Sequence, residues 1–130
     1  MLLTFSKPNF DELIKANIKQ HTIRVDKNNR WQAGKAIQFW FNNPRNVRAK
    51  VKPYQFGIGI CSQVEKIEIN LQRDTVLIGS RTINTTNELN ALARRDGFDN
   101  WHQMKAFFDN KTGMFYGKII YWHWQDCTWL

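Results

Sequence analysis

The feature that most constrains the fold is a succession of short stretches with a period of two, the spacing of strands. Residues 36–41 place Ile37, Phe39 and Phe41 on one side. In residues 47–52, Val47, Ala49 and Val51 alternate with Arg48, Lys50 and Lys52, so one face reads apolar and the other cationic. Pro53 stops that stretch. Further strands are expected over residues 57–61, 64–69 and 75–78, and a last aromatic strand over 114–124. An earlier one covers residues 21–25.

Three segments break this pattern with helical spacing. Residues 8–18 open on Pro8, pair Asn9 with Glu12 as a capping box, and set Phe10, Leu13, Ile14 and Ile18 along one face. Thr85 with Glu88 caps a helix carrying Leu89, Leu92 and Ala93, which Gly97 ends. Asn100 with Gln103 caps another through Met104, Phe107 and Phe108. The expectation is one α+β domain over residues 1–130: a small mixed sheet curled into a barrel, with a helical insertion near 86–109.

Charge narrows the partner. Residues 1–53 hold 11 Lys/Arg against 3 Asp/Glu, whereas residues 54–130 hold 8 of each. The whole excess of +8 therefore falls in the first part of the chain. Gathered on one surface, it would attract a polyanion, and nucleic acid is the first expectation because aromatic residues lie among the cations. The plain alternative is a soluble basic protein. With 42% hydrophobic and 14% aromatic residues the chain can build a real core. No apolar run reaches the roughly 18–20 residues of a membrane span, and the first residues lack the order of a signal peptide. Cys61 and Cys127 show no ligand-like spacing and read as reduced thiols of a cytoplasmic protein.

The densest chemistry lies in residues 19–24, Lys-Gln-His-Thr-Ile-Arg. On a strand Thr22 and Arg24 share a face, and Lys19 enters just ahead of them. An amine, a hydroxyl and a guanidinium so grouped suit a phosphate, a carbonyl or a base edge.

Lys19-x-x-Thr22-Ile23-Arg24, then Arg30-Trp31 and Gly34-Lys35, resemble the N-terminal signature of ASCH domains. Leu92-Ala93-Arg94-Arg95-Asp96-Gly97-Phe98 resembles that family's helical segment. The resemblance implies a PUA-like β-barrel with flanking helices and a role in RNA binding or RNA metabolism. Some small members are amidohydrolases that deacylate acetylcytidine with a lysine, a threonine and a glutamate. The first two positions fall on Lys19 and Thr22. The third falls on Asp96, an aspartate one methylene shorter than the enzymes' glutamate. A misplacement of roughly an ångström can cost about a hundredfold in rate.

Each candidate has a plainer reading. Lys19 would serve as a base only if burial and nearby positive charge lowered its pKa far below about 10.4, with Thr22 orienting water and Asp96 shuttling the proton. Otherwise it is a solvated lysine favoured at the end of the first helix. Arg24 could bind a ligand, bridge Asp96, or do both. Arg48, Lys50 and Lys52, with Arg45, could track a phosphate backbone, or protect an edge strand. Most of the six tryptophans should be core, with Trp31 or Trp40, not both, as a substrate-stacking side chain at the cleft. Trp122 and Trp124 share one strand face, Tyr121 and His123 the other, and one pair should be buried. His21, His102 and His123 lack zinc-site spacing. Cys127 and His123 lie about 13 Å apart along a strand, too far for a local catalytic pair. Gly57-Ile58-Gly59 lacks the rest of a phosphate-loop fingerprint.

The leading expectation is therefore a cofactor-independent domain that binds RNA or a nucleotide in a basic cleft. The enzymatic alternatives are metal-independent hydrolysis of an acylated, modified nucleoside and ribonuclease activity. A protein-interaction module with a basic face is the non-enzymatic one.

Overall fold

The structure is a computed structural model that describes every residue except Val47 and Ala49. Eight strands, three α-helices and one 3-10 turn make up the described chain. In order they are β1 (Leu2–Phe5), α1 (Phe10–Lys15), β2 (His21–Arg24), β3 (Ala36–Phe41), β4 (Tyr54–Asn70), β5 (Thr75–Ile78), β6 (Arg81–Ile83), α2 (Thr86–Arg95), α3 (Trp101–Phe107), β7 (Met114–Trp122), the 3-10 turn (Trp124–Asp126) and β8 (Thr128–Trp129).

The 17-residue strand β4 organises the rest. Its first half pairs with β3 and β8, and its second half with β7 and β5. A bulge between Cys61 and Gln63 marks the change of partners. Bulges bend a strand and raise its twist, so one strand can serve two differently inclined sheet halves. Sequence reading splits β4 into two strands because the alternation slips at this bulge. Gly57 belongs to the strand, where a Cβ would come within 2.5 Å of the Trp129 ring.

The sheet is α+β but is not closed into a barrel. β1 pairs in parallel with β3, whereas β6 pairs antiparallel with β5 and β2 antiparallel with β7, and among the described residues β1, β6 and β2 have no second partner. Between β1 and β2 a side chain takes the place of a ladder: the Arg24 guanidinium donates to the Thr4 carbonyl at 2.6 Å. The open seam positions the candidate site described below.

Both helices of the insertion begin as their sequences require. The Thr85 hydroxyl oxygen accepts from the Glu88 N–H, and the Asn100 carboxamide oxygen accepts from the Gln103 N–H. α1 differs from expectation. Asn9 lies in the left-handed region with φ 71° and makes no side-chain cap. The helix also stops early, at Lys15. Asn17, at φ 61°, turns the chain so that the Asn17 N–H meets the Ile14 carbonyl and the Ile18 N–H meets the Leu13 carbonyl. This is a Schellman ending, and it leaves Ile18 exposed instead of on the apolar face.

The expected 47–52 strand is likewise not found. Val47 and Ala49 lie outside the described residues, Arg48 sits in a turn, Lys50 and Val51 in bends, and Val51 is exposed. The last strand ends at Trp122. That side chain is buried against Phe39, whereas Trp124 lies in the 3-10 turn and is exposed. Leu3, Phe5, Phe39, Phe56, Ile119 and Ile120 are among the residues of the core between the sheet halves and α1.

Candidate functional site

The Schellman turn after α1 drives Lys19 into the protein interior. Only 1% of this lysine is exposed. Its ammonium donates to the Asp96 carbonyl at 2.5 Å and lies 3.2 Å from Asp96 Oδ1. Lys19 thus caps the C-terminus of α2, where unpaired carbonyls favour a cation, and not the end of its own helix. Gly97 makes the approach feasible. It ends α2 at φ 95°, and a Cβ there would come within 2.8 Å of Phe10 and 3.0 Å of the Lys19 stem. The Gly97 N–H bonds the Arg94 carbonyl and the Phe98 N–H the Ala93 carbonyl, a second Schellman ending.

A buried chain of polar groups results. Asp96 Oδ1 faces Lys19 Nζ on one side and His21 Nδ1, 3.1 Å away, on the other. The Lys19 ammonium also lies over the Phe10 ring at 4.5 Å, a favourable cation–π placement. Burial lowers the Lys19 pKa from 10.5 to about 8; the Asp96 carboxylate opposes the fall, and Arg24 and Lys7 add to it. At neutral pH about one-tenth of Lys19 would then be neutral. Burial also lowers the His21 pKa, against the pull of Asp96.

Arg24 stands beside this chain. Its Nε donates to Thr22 Oγ1 at 3.2 Å, its terminal nitrogen takes the Thr4 carbonyl, and its guanidinium lies 4.9 Å from the Phe5 ring centroid. It makes no ion pair with Asp96, so the expected bridge is absent. Lys19, Thr22, Arg24 and Asp96 nevertheless line one small pocket of about 150 Å³, walled by Phe10, Phe98 and Phe107.

Arg24 and Thr4 also border a second, larger cleft of about 590 Å³ along the open β1–β2 seam. Its walls include Lys27, Arg30, Trp31 and Arg45. The one carboxylate there, Asp26, is already engaged, accepting from the N–H groups of Arg30 and Trp31 at 2.9 Å each. Burial pushes the Asp26 pKa up, but these N–H groups and Lys118 outweigh it and hold the carboxyl below its ordinary value.

Trp31 lines the cleft but is buried to 8% exposure, so it forms part of a wall and presents no open ring. Trp40 is not among the cleft residues; its indole N–H donates to Gln38 within β3. Arg48, Lys50 and Lys52 are exposed on the loop that follows Arg45 and do not line the cleft. In the sequence His21 shows only its lack of zinc-site spacing. Its position between Lys19 and Thr22 on a short strand was the available signal. Among the described residues no three His, Cys, Asp or Glu side chains stand close enough to hold a metal ion, and both cysteines are free thiols. Among the described residues no helix is long and apolar enough to cross a membrane.

No family model, no curated protein and no solved structure matches this chain.

Proposed function

We propose that the open seam binds RNA or a nucleotide, with phosphates along Arg24, Lys27, Arg30 and Arg45. The observation that carries this reading is the charge of the cleft wall: four cations against one carboxylate that is already occupied by backbone donors. Guanidinium forks suit phosphate oxygens, and the exposed Arg48, Lys50 and Lys52 extend the cationic path beyond the cleft. The motif resemblance to ASCH domains points the same way, whereas the PUA-like barrel it implies does not match the open sheet.

Binding of a single-stranded oligoribonucleotide should weaken steeply with added salt. Arg30→Ala/Arg45→Ala should make the log–log salt slope shallower by about 1.4, as expected for two lost phosphate contacts. Absence of binding at low salt, or an unchanged slope in the double variant, removes the reading. RNA left intact on long incubation removes a ribonuclease.

A second reading, hydrolysis of an acylated nucleoside, is favoured by one observation: Lys19, Thr22 and Asp96 share a pocket, with the lysine pKa near 8. Neutral Lys19 would take a proton from water and hydroxide would add to the acyl carbon. The amine would leave with that proton, giving a carboxylic acid and the free nucleoside. Release of cytidine from acetylcytidine, lost in Lys19→Ala and reduced in Thr22→Val, is the expected result. No release over days at pH 8 would rule it out.

A further inference from the structure

His21 opens onto a part of the molecule that the cleft does not use. On β2 it faces away from Thr22 and Arg24, toward the last turn of α2. Its Nδ1 is turned to the Asp96 carboxylate, which can only accept a hydrogen bond there, so Nδ1 carries the hydrogen and, in the neutral ring, Nε2 has an unshared pair. Nε2 points the other way and has no partner, although the residue is only 2% exposed. A buried nitrogen without a partner is costly.

The ring borders a hollow of about 330 Å³ between α2 and the sheet, lined also by Gln63, Glu65, Arg81, Arg95 and Tyr121. A neighbouring hollow of about 270 Å³ shares His21, Gln63, Arg95 and Tyr121 with it. The charges in this wall are unequally matched. Glu65 Oε1 accepts from the Tyr121 hydroxyl at 2.9 Å and from Arg81 at 3.1 Å, so that carboxylate is satisfied internally. The Arg95 side chain makes no ion pair among the described residues.

We propose that this hollow is a second binding site, for a small organic anion that also carries a hydroxyl or N–H group. The donor would meet His21 Nε2 and the anionic end would meet Arg95. The requirement for both features follows from one unpartnered acceptor and one unpaired cation in the same wall. The Lys19–Asp96–His21 chain runs from the small pocket, which Lys19 and Asp96 line, to this hollow, which His21 lines. The proposal does not depend on the nucleic-acid reading, because none of the cleft cations lines this hollow.

The test uses three probes on the full chain: ribose 5-phosphate, with donors and an anion; ribose, with donors alone; and sulfate, with an anion alone. Binding is followed by titration and by the ¹⁵N shift of His21 Nε2. Ribose 5-phosphate should bind, move the Nε2 resonance, and exceed ribose and sulfate by about tenfold or more in affinity. Arg95→Ala, at an exposed position, should fold normally, lose about tenfold for ribose 5-phosphate, and leave oligoribonucleotide affinity unchanged. The proposal is overturned by an unmoved Nε2 resonance at saturating ribose 5-phosphate, by equal binding of sulfate, or by an Arg95→Ala variant of undiminished affinity.

Discussion

The two sides of the β1–β2 seam use positive charge in opposite ways. Lys19 is withdrawn from water and held by Asp96, which His21 also engages, and by an aromatic ring. A few residues away, Lys27, Arg30 and Arg45 stand exposed around a cleft whose only carboxylate is already engaged. The first arrangement is fixed by local bonds and is expensive to disturb. The second has few internal bonds to lose and leaves its charged side chains exposed. Cationic residues in one half of a sequence thus need not serve one purpose.

The contrast can be broken by substitution. Lys19→Met should produce the largest effect, a loss of about 3–5 kcal/mol in urea denaturation, because Asp96 would stay buried without its cation. Gly97→Ala should cost about 2 kcal/mol, from the positive φ together with the displaced Phe10 ring. Lys19 also imposes a pH dependence. Its folded pKa lies below the unfolded value, so between about pH 8 and 10.5 the unfolded chain binds more protons. Lys19 should therefore contribute a rise of about 1 kcal/mol per pH unit. The raised thiol pKa values of Cys61 and Cys127 oppose it above about pH 9, so it is read as the difference between the wild-type and Lys19→Met profiles. Burial of neutral His21 acts in the same sense at lower pH, and stability should fall as pH drops below about 6.5. The smallest effect belongs to the cleft: Arg30→Ala/Arg45→Ala should change stability by less than about 0.5 kcal/mol while altering RNA binding. A large stability loss there would place these arginines with Lys19 and erase the distinction.

Much of this was legible in the residues, for identifiable reasons. Thr85–Glu88 and Asn100–Gln103 are local signals, satisfied within four residues, and both helices start where they indicate. The Ala36–Phe41 alternation likewise sits on a strand with those bounds. Three strands carry no readable alternation: β6 and β8 are only three and two residues long, and β1, Leu-Leu-Thr-Phe, opens on two adjacent leucines. The open seam was not legible either, since it depends on one arginine reaching a carbonyl 20 residues away. The grouping of Lys19 with Thr22, Arg24 and Asp96 came from motif order, and the structure places all four around one pocket. What sequence could not convey was orientation: that Lys19 would cap α2, and that His21 would complete the buried chain on the far side.

The long central strand has a consequence for how the chain reaches this form. β4 and β7 pair from Cys61 with Trp122 to Asn70 with Met114, so every contact in that ladder closes a loop of more than forty residues. Closing such loops costs entropy before any pairing repays it, and chains dominated by distant contacts fold slowly. The helical insertion, lying wholly within that loop, can form early from its own caps and shorten the effective distance to be closed. Weakening the Thr85 or Asn100 cap should therefore slow refolding in a stopped-flow experiment, and not merely hasten unfolding.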